Sequence, residues 1–158
     1  MRPTLAAMTA PLVRTAARVL LVDAAGRVLL FRGCDPAQRE AGTWWITVGG
    51  GLDAGESARE GAARELFEET GLRVAPEALG EPVHEELADF AFAGSHVLQQ
   101  QEYFLLRVDA HEVDTAGFTP LELEAVFEHR WWSLDELAAT DEVVYPLDLV
   151  DLLTRLGV

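Results

Sequence analysis

Residues 50–72 read GGLDAGESAREGAARELFEETGL. Glycines open this stretch and a dense set of glutamates closes it. The helix limits are legible in it. Ser57 and Glu60 have the Ser-x-x-Glu spacing of a capping box, and Gly71 suits the left-handed residue that stops a helix. Between them lie good helix formers. Ala62, Leu66 and Thr70 recur at spacing four, with Ala63 and Phe67 beside them, so this face should pack on a sheet. Glu65, Glu68 and Glu69 then fall at i, i+3 and i+4, on one patch of the helix. Like charges at that spacing cost a few tenths of a kcal/mol per pair, roughly, which a solvated face tolerates. A glycine run ahead of the helix changes the balance. It allows close backbone approach to a ligand. Hard oxygen donors grouped on one rigid element are what Mg²⁺ or Mn²⁺ prefers.

Outward from this stretch the chain alternates strands and helices. TAARVLLVD and RVLLFRG, joined by DAAG, read as a hairpin or two neighbouring strands. GCDPAQREAGT reads as a loop, and WWITV as a short strand running into the glycines. EPVHEELADFAF and QQEYFLLRV read as two strands joined near AGSH, and EHRWWSL as another. PLDLVDLLTRL reads as an amphipathic helix with Pro146 at its start. This order implies an α/β or α+β fold, a mixed sheet flanked by helices.

The 158 residues form one domain, 1–158, without repeats or long linkers. Net charge is -15 and every basic residue is arginine. An acidic chain is a poor match for nucleic acid, which recruits basic surfaces. Apolar runs are strand-length, too short for a membrane. The N-terminus has no apolar segment with a cleavage site, and the single cysteine, Cys34, forms no internal disulfide, so a cytoplasmic location is expected.

The stretch resembles the Nudix family. Gly50, five residues, Glu56, seven residues and then RELFEETGL match the complete Nudix box through Arg64, Glu65, Leu66, Glu68, Glu69, Gly71 and Leu72. The resemblance implies an α/β/α sandwich with a mixed sheet. It implies hydrolysis of a nucleoside diphosphate linked to another group, with Mg²⁺ or Mn²⁺. Carried over by position, Glu68 and Glu69 would be the main metal ligands. Glu65 would be a further ligand or the base, and Gly49 would offer its carbonyl. Arg64 would pair with Glu56 and hold the loop on the helix. Many members have proline where this chain has Val48. A later glutamate often completes such sites, and Glu102 is the candidate. Glu122, Glu124 and Glu128 are expected to be solvated.

Among other residues, Arg32 could meet a phosphate and Trp45 could stack on a base, with ion pairing and core packing as the alternatives. Arg14, Arg18 and Arg107 read as strand arginines in surface ion pairs. The four histidines lack metal-ligand spacing. The expected partner is a small nucleotide diphosphate substrate, with no nucleic acid and no membrane, and a homodimer is compatible with the resemblance. Two other readings remain: a non-catalytic, nucleotide-binding regulatory domain, and an isopentenyl diphosphate isomerase-like enzyme. The isomerase needs a catalytic cysteine, and RGCDP does not resemble its setting.

Overall fold

A computed structural model describes residues 10–158. The strands are β1 (Leu12–Val22), β2 (Val28–Cys34), β3 (Thr43–Gly51), β4 (His84–Phe92), β5 (Ser95–Arg107), β6 (Val126–Trp132) and β7 (Val144–Tyr145). The helices are α1 (Ala58–Thr70), α2 (Pro120–Ala125), α3 (Leu134–Ala139) and α4 (Leu149–Arg155).

The strands form one curled, mixed sheet in the order β4-β5-β1-β2-β3-β7, with β6 on β2. β1 runs parallel to β5 along its whole length, from Leu12↔Val97 to Val22↔Arg107. The DAAG segment does turn β1 into β2, but the two strands pair only at Val22↔Val28. They diverge because β3 enters between them. Its first half pairs with β2 at Thr43–Thr47, and its second half pairs with β1 at Val48–Gly51. The glycine tract is therefore the end of a central strand, with β1 on one side and, among the described residues, no strand on the other.

Side chains alternate across a strand, and this divides the core. Val48 on β3 joins Ala17, Val19 and Leu21 of β1 beneath Ala62 and Leu66 of α1. Trp45 joins Leu20, Val22, Leu30, Tyr103 and Trp132 beneath Leu137, Leu149, Leu152 and Leu153 of α3 and α4. Helices thus cover both faces, the expected sandwich.

α1 obeys its sequence signals. The Ser57 hydroxyl accepts from Glu60 N–H at 3.1 Å, and Gly71 takes φ 76° at the C-terminus. Leu66 is fully buried, worth about 1.5–3 kcal/mol. Phe67 departs from expectation: it is 39 % exposed and its ring lies 4.1 Å from the Arg73 guanidinium. It sits one step around the helix from Leu66 and misses the sheet. α4 begins at Leu149 rather than at Pro146, whose ring stands in the preceding turn.

The segment between β5 and α2 folds back over the end of α1. Asp114 N–H and His111 Nε2 both donate to the Thr70 carbonyl, at 2.9 and 2.7 Å. This crossing carries α2 to the glutamate face of α1.

Candidate active site

The site is built where β3 ends against α1. Gly50 faces the helix, and a Cβ there would stand 2.8 Å from Glu65 Oε1. Only glycine leaves the carboxylate its place. Gly49 sits at φ 138°, and a Cβ there would meet the Ala17 carbonyl at 2.2 Å. The Gly49 N–H donates to Glu69 Oε1 at 2.7 Å. Its carbonyl, expected to face a cation, accepts from Arg18 Nη1 at 3.1 Å.

Arg64 ties the loop to the helix. Its Nε donates to Glu56 Oε2 at 2.8 Å and its Nη2 to Glu56 Oε1 at 2.9 Å, a bidentate fork. Nη2 also donates to the Gly51 carbonyl at 3.0 Å. Nη1 donates to Glu65 Oε1 at 3.0 Å and Glu68 Oε2 at 3.1 Å. The Arg64 bonds hold Glu56 below the usual carboxylate range, against the opposing effect of burial. Glu56 answers Arg64 within the loop and does not face the cluster.

Glu65, Glu69 and Glu122 bring carboxylate oxygens within 4.8 Å of one another. Glu69 is 4 % exposed. Burial pushes its pKa well above the usual value, Glu65 and Glu122 push it further, and the Gly49 N–H and Arg18 oppose them. Burial likewise raises Glu65 to about 7, against the Arg64 charge and with Glu122 and Glu68 adding to the rise. Three carboxylates in such a place resist ionising together. A hard cation relieves both burial and repulsion, and an all-oxygen donor set on rigid elements fits a divalent ion. Glu68 stands beside this group, held by Arg64 and more open to solvent.

Glu122 was expected in solvent. It is the third residue of α2, and its Oε1 accepts the Thr119 N–H at 3.1 Å in a capping box. The Thr119-Pro120-x-Glu122 pattern is legible as a helix start. Nothing local says that this start faces Glu65 and Glu69, since the crossing over α1 decides that. Glu102, the sequence candidate, lies on β5 opposite Glu85 of β4 and outside the cluster. Its pKa is raised by burial and then by Glu85. β5 is separated from the glycine tract by β1, which places Glu102 a full strand away.

The two substrate-contact candidates find other uses. Trp45 is 2 % exposed and meets Trp132 edge to face, with ring centres 5.1 Å apart. It faces α4 and offers no ring to a ligand. Trp44 takes the other face and packs beside Tyr145. Arg32 Nη1 pairs with Glu128 Oε2 at 2.9 Å, so the Arg32 charge is already answered. Cys34 is buried. Of the histidines, His84 does gather with Glu86 and Asp148 on the far side of the sheet, although Glu86 Oε1 already accepts the Tyr103 hydroxyl at 2.8 Å.

Known proteins match this arrangement. A family model described as NUDIX domain matches residues 12–152. The chain belongs to the Nudix family, and it is a hydrolase of diphosphate bonds. An RNA pyrophosphohydrolase of Erythrobacter litoralis is 33 % identical over 135 residues, covering 78 % of each chain. Another, of Rhodospirillum rubrum, is 31 % identical over 145 residues, covering 87 % of this chain and 82 % of its own. Among solved structures, a MutT protein from Methanosarcina mazei superposes with a TM-score of 0.70 at 20 % identity, covering 95 % of this chain and 96 % of its own. The dihydroneopterin triphosphate pyrophosphohydrolase of E. coli gives 0.61 at 19 %, covering 91 % and 96 %. At these identities the structural likeness speaks to the fold alone.

Proposed function

We propose that the chain is a single-domain cytoplasmic enzyme that uses Mg²⁺ or Mn²⁺ to cleave a small nucleoside 5′-polyphosphate or related nucleotide derivative. The observation that carries this reading is the meeting of Glu65, Glu69 and Glu122 within 4.8 Å beside the Gly49–Gly51 edge. These three carboxylates would hold the ion, with Glu68 at the open side. A bound divalent cation neutralises phosphate charge and lowers the pKa of an attacking water.

The remaining work belongs to the chain itself. Arg64 keeps Glu65 and Glu68 in place and pins the Gly51 carbonyl to the helix. Glu65, beside the bare Gly50, would serve as a further ligand or as the base that takes the proton of the attacking water. The buried Glu69 is oriented by the Gly49 N–H. The glycine strand leaves the phosphates room, because no side chain projects from residues 49–51.

A hydrolysis screen tests the reading. Nucleoside triphosphates, 5′-triphosphorylated RNA oligomers, nucleotide sugars and dinucleotides are offered with Mg²⁺ or Mn²⁺, and products are separated by chromatography. Metal-dependent turnover of a small nucleotide, lost in Glu69→Gln, is expected. RNA turned over in preference to every mononucleotide would refute the small-substrate assignment, as binding without turnover would refute catalysis.

A further inference from the structure

The face of β1 turned away from α1 carries Arg14 and Arg18, and the surface ion pairs expected for them are not formed. Among the described residues, no carboxylate pairs with either guanidinium, in a chain of net charge -15. Arg18 is only 8 % exposed. Its Nε donates to Gln101 Oε1 at 3.3 Å, and its Nη1 to the Thr47 and Gly49 carbonyls at 3.2 and 3.1 Å. Arg14 Nε donates to Gln99 Oε1, and Gln99 Nε2 in turn to Gln101 Oε1 at 2.8 Å. Every acceptor is neutral. Arg18 Nη2 and both terminal nitrogens of Arg14 have no partner among the described residues. They are not buried either, so they face solvent.

Buried or half-buried positive charge whose direct contacts are all neutral is costly. Burial and the neighbouring Arg18 both pull the Arg14 pKa down, and only Glu65 opposes them. Two guanidiniums held side by side by amides form a site prepared for an anion. Their position names the anion. Gly49 gives its N–H to Glu69 and its carbonyl to Arg18. The acid cluster and the arginine pair therefore meet on one residue, at the stretch of β3 where β2 has already departed. Gly50 faces Glu65, while the Cβ position of Gly51 lies 3.7 Å from Arg14 Nη1. A phosphate chain crossing this bare edge meets cation-holding carboxylates on one side and guanidiniums on the other.

We propose that Arg14 and Arg18 form an anion subsite for a substrate phosphate outside the bond being cleaved, so that the enzyme selects chains of three or more phosphates over nucleoside diphosphates capped by a neutral sugar. This rests on the hydrolase reading of the carboxylate cluster. Arg14 and Arg18 act as specificity residues, and the Gln99–Gln101 pair positions them.

The test has a metal-free arm and a kinetic arm. In EDTA, inorganic tripolyphosphate is titrated into the wild-type chain, Arg14→Gln, Arg14→Lys and Glu68→Gln by calorimetry. Arg14 is the main probe because, among the described residues, its only side-chain bond is to Gln99; Arg18→Gln is a second, used after a melting curve shows it folded. Arg14→Gln should weaken binding about tenfold, the loss of one charge-assisted contact. Arg14→Lys should recover part of that loss, and Glu68→Gln should not weaken binding. With Mg²⁺, Arg14→Gln should raise KM for a nucleoside triphosphate about tenfold with kcat nearly unchanged, and leave kcat/KM for a nucleotide sugar unaltered. No tripolyphosphate binding by the wild-type chain, equal binding by Arg14→Gln, or a parallel loss on both substrates would overturn the subsite. Absence of all turnover would instead strike the hydrolase reading, while the metal-free titration still reports on the arginines.

Discussion

Replacing Gly50 with alanine adds one methyl group beside Glu65 and separates chemistry from folding. The new Cβ would stand 2.8 Å from Glu65 Oε1, 3.0 Å from its Cδ and 3.2 Å from its Oε2. All three are closer than ordinary contact. The obstacle is the far end of a flexible side chain, so Glu65 swings aside rather than the backbone moving. Gly50 is not at positive φ, and alanine fits the strand. The folding cost should be about 1 kcal/mol, the low end of overpacking, because the obstacle can move. The carboxylate, however, must shift by several tenths of an ångström from its place beside Glu69 and Glu122 and strain its 3.0 Å bond to Arg64. A misplacement of about 1 Å costs about 100-fold in rate, so a shift of several tenths should cost roughly tenfold, or about 1.4 kcal/mol of barrier. The assay is kcat/KM on the best substrate of the screen, beside a thermal melt. Gly51→Ala reports separately on the other face of the strand, where its Cβ would make only ordinary contact with Arg14 at 3.7 Å but would stand beside the proposed phosphate path. Gly49→Ala, at φ 138° and 2.2 Å from the Ala17 carbonyl, should fail to fold. A folded Gly50→Ala with wild-type kcat/KM would show that the position of Glu65 does not govern the reaction.

Three further outcomes are expected. Glu122→Gln should weaken Mn²⁺ binding about 10- to 100-fold, and Glu102→Gln should leave it unchanged; calorimetry decides, and the opposite pattern would restore Glu102 to the site. In EDTA, burial pushes Glu65 up to about 7, above the usual 4.5 of a glutamate, so the folded state holds its proton more tightly. Stability should then fall as pH rises from about 4.5 to 7 and level off above it; Glu65→Gln should flatten that slope in urea melts, and Mn²⁺ at high pH should restore stability. Arg64→Met should cost about 2 kcal/mol, less than a fully buried pair because the side chain is 25 % exposed. That variant should also lose the part of its stability that disappears at low pH, since Arg64 depresses the Glu56 pKa and this contribution is present only above the ordinary carboxylate range.

What could be read along the chain was local. The capped helix from Ala58 to Thr70 obeys rules that involve neighbours four residues apart, and the Arg64–Glu56 pair, implied by the family resemblance, closes within one loop. The glycines were legible as a close approach, because no other residue permits one. The Thr119 capping box, which sequence reasoning missed, carries the same kind of local signal, but only as a helix start.

The tertiary structure decided everything that depends on which strands meet. Glu102 and Glu122 are the same residue type and both follow the box. β1 stands between Glu102 and the glycine tract, while the segment crossing α1 swings Glu122 onto Glu65 and Glu69. Trp44 and Trp45 are identical in type, and only the direction of the pleat put Trp45 under α4. Arg14 and Arg18 looked like ordinary strand arginines. Parallel pairing with β5 set Gln99 and Gln101, rather than carboxylates, beside them, and the divergence of β2 from β3 opened the edge they face. Local spacing determines helices, caps and the composition of the acid cluster. Long-range strand order determines which charges are answered within the protein and which are left for a ligand, because that answer lies some 85 residues away along the chain.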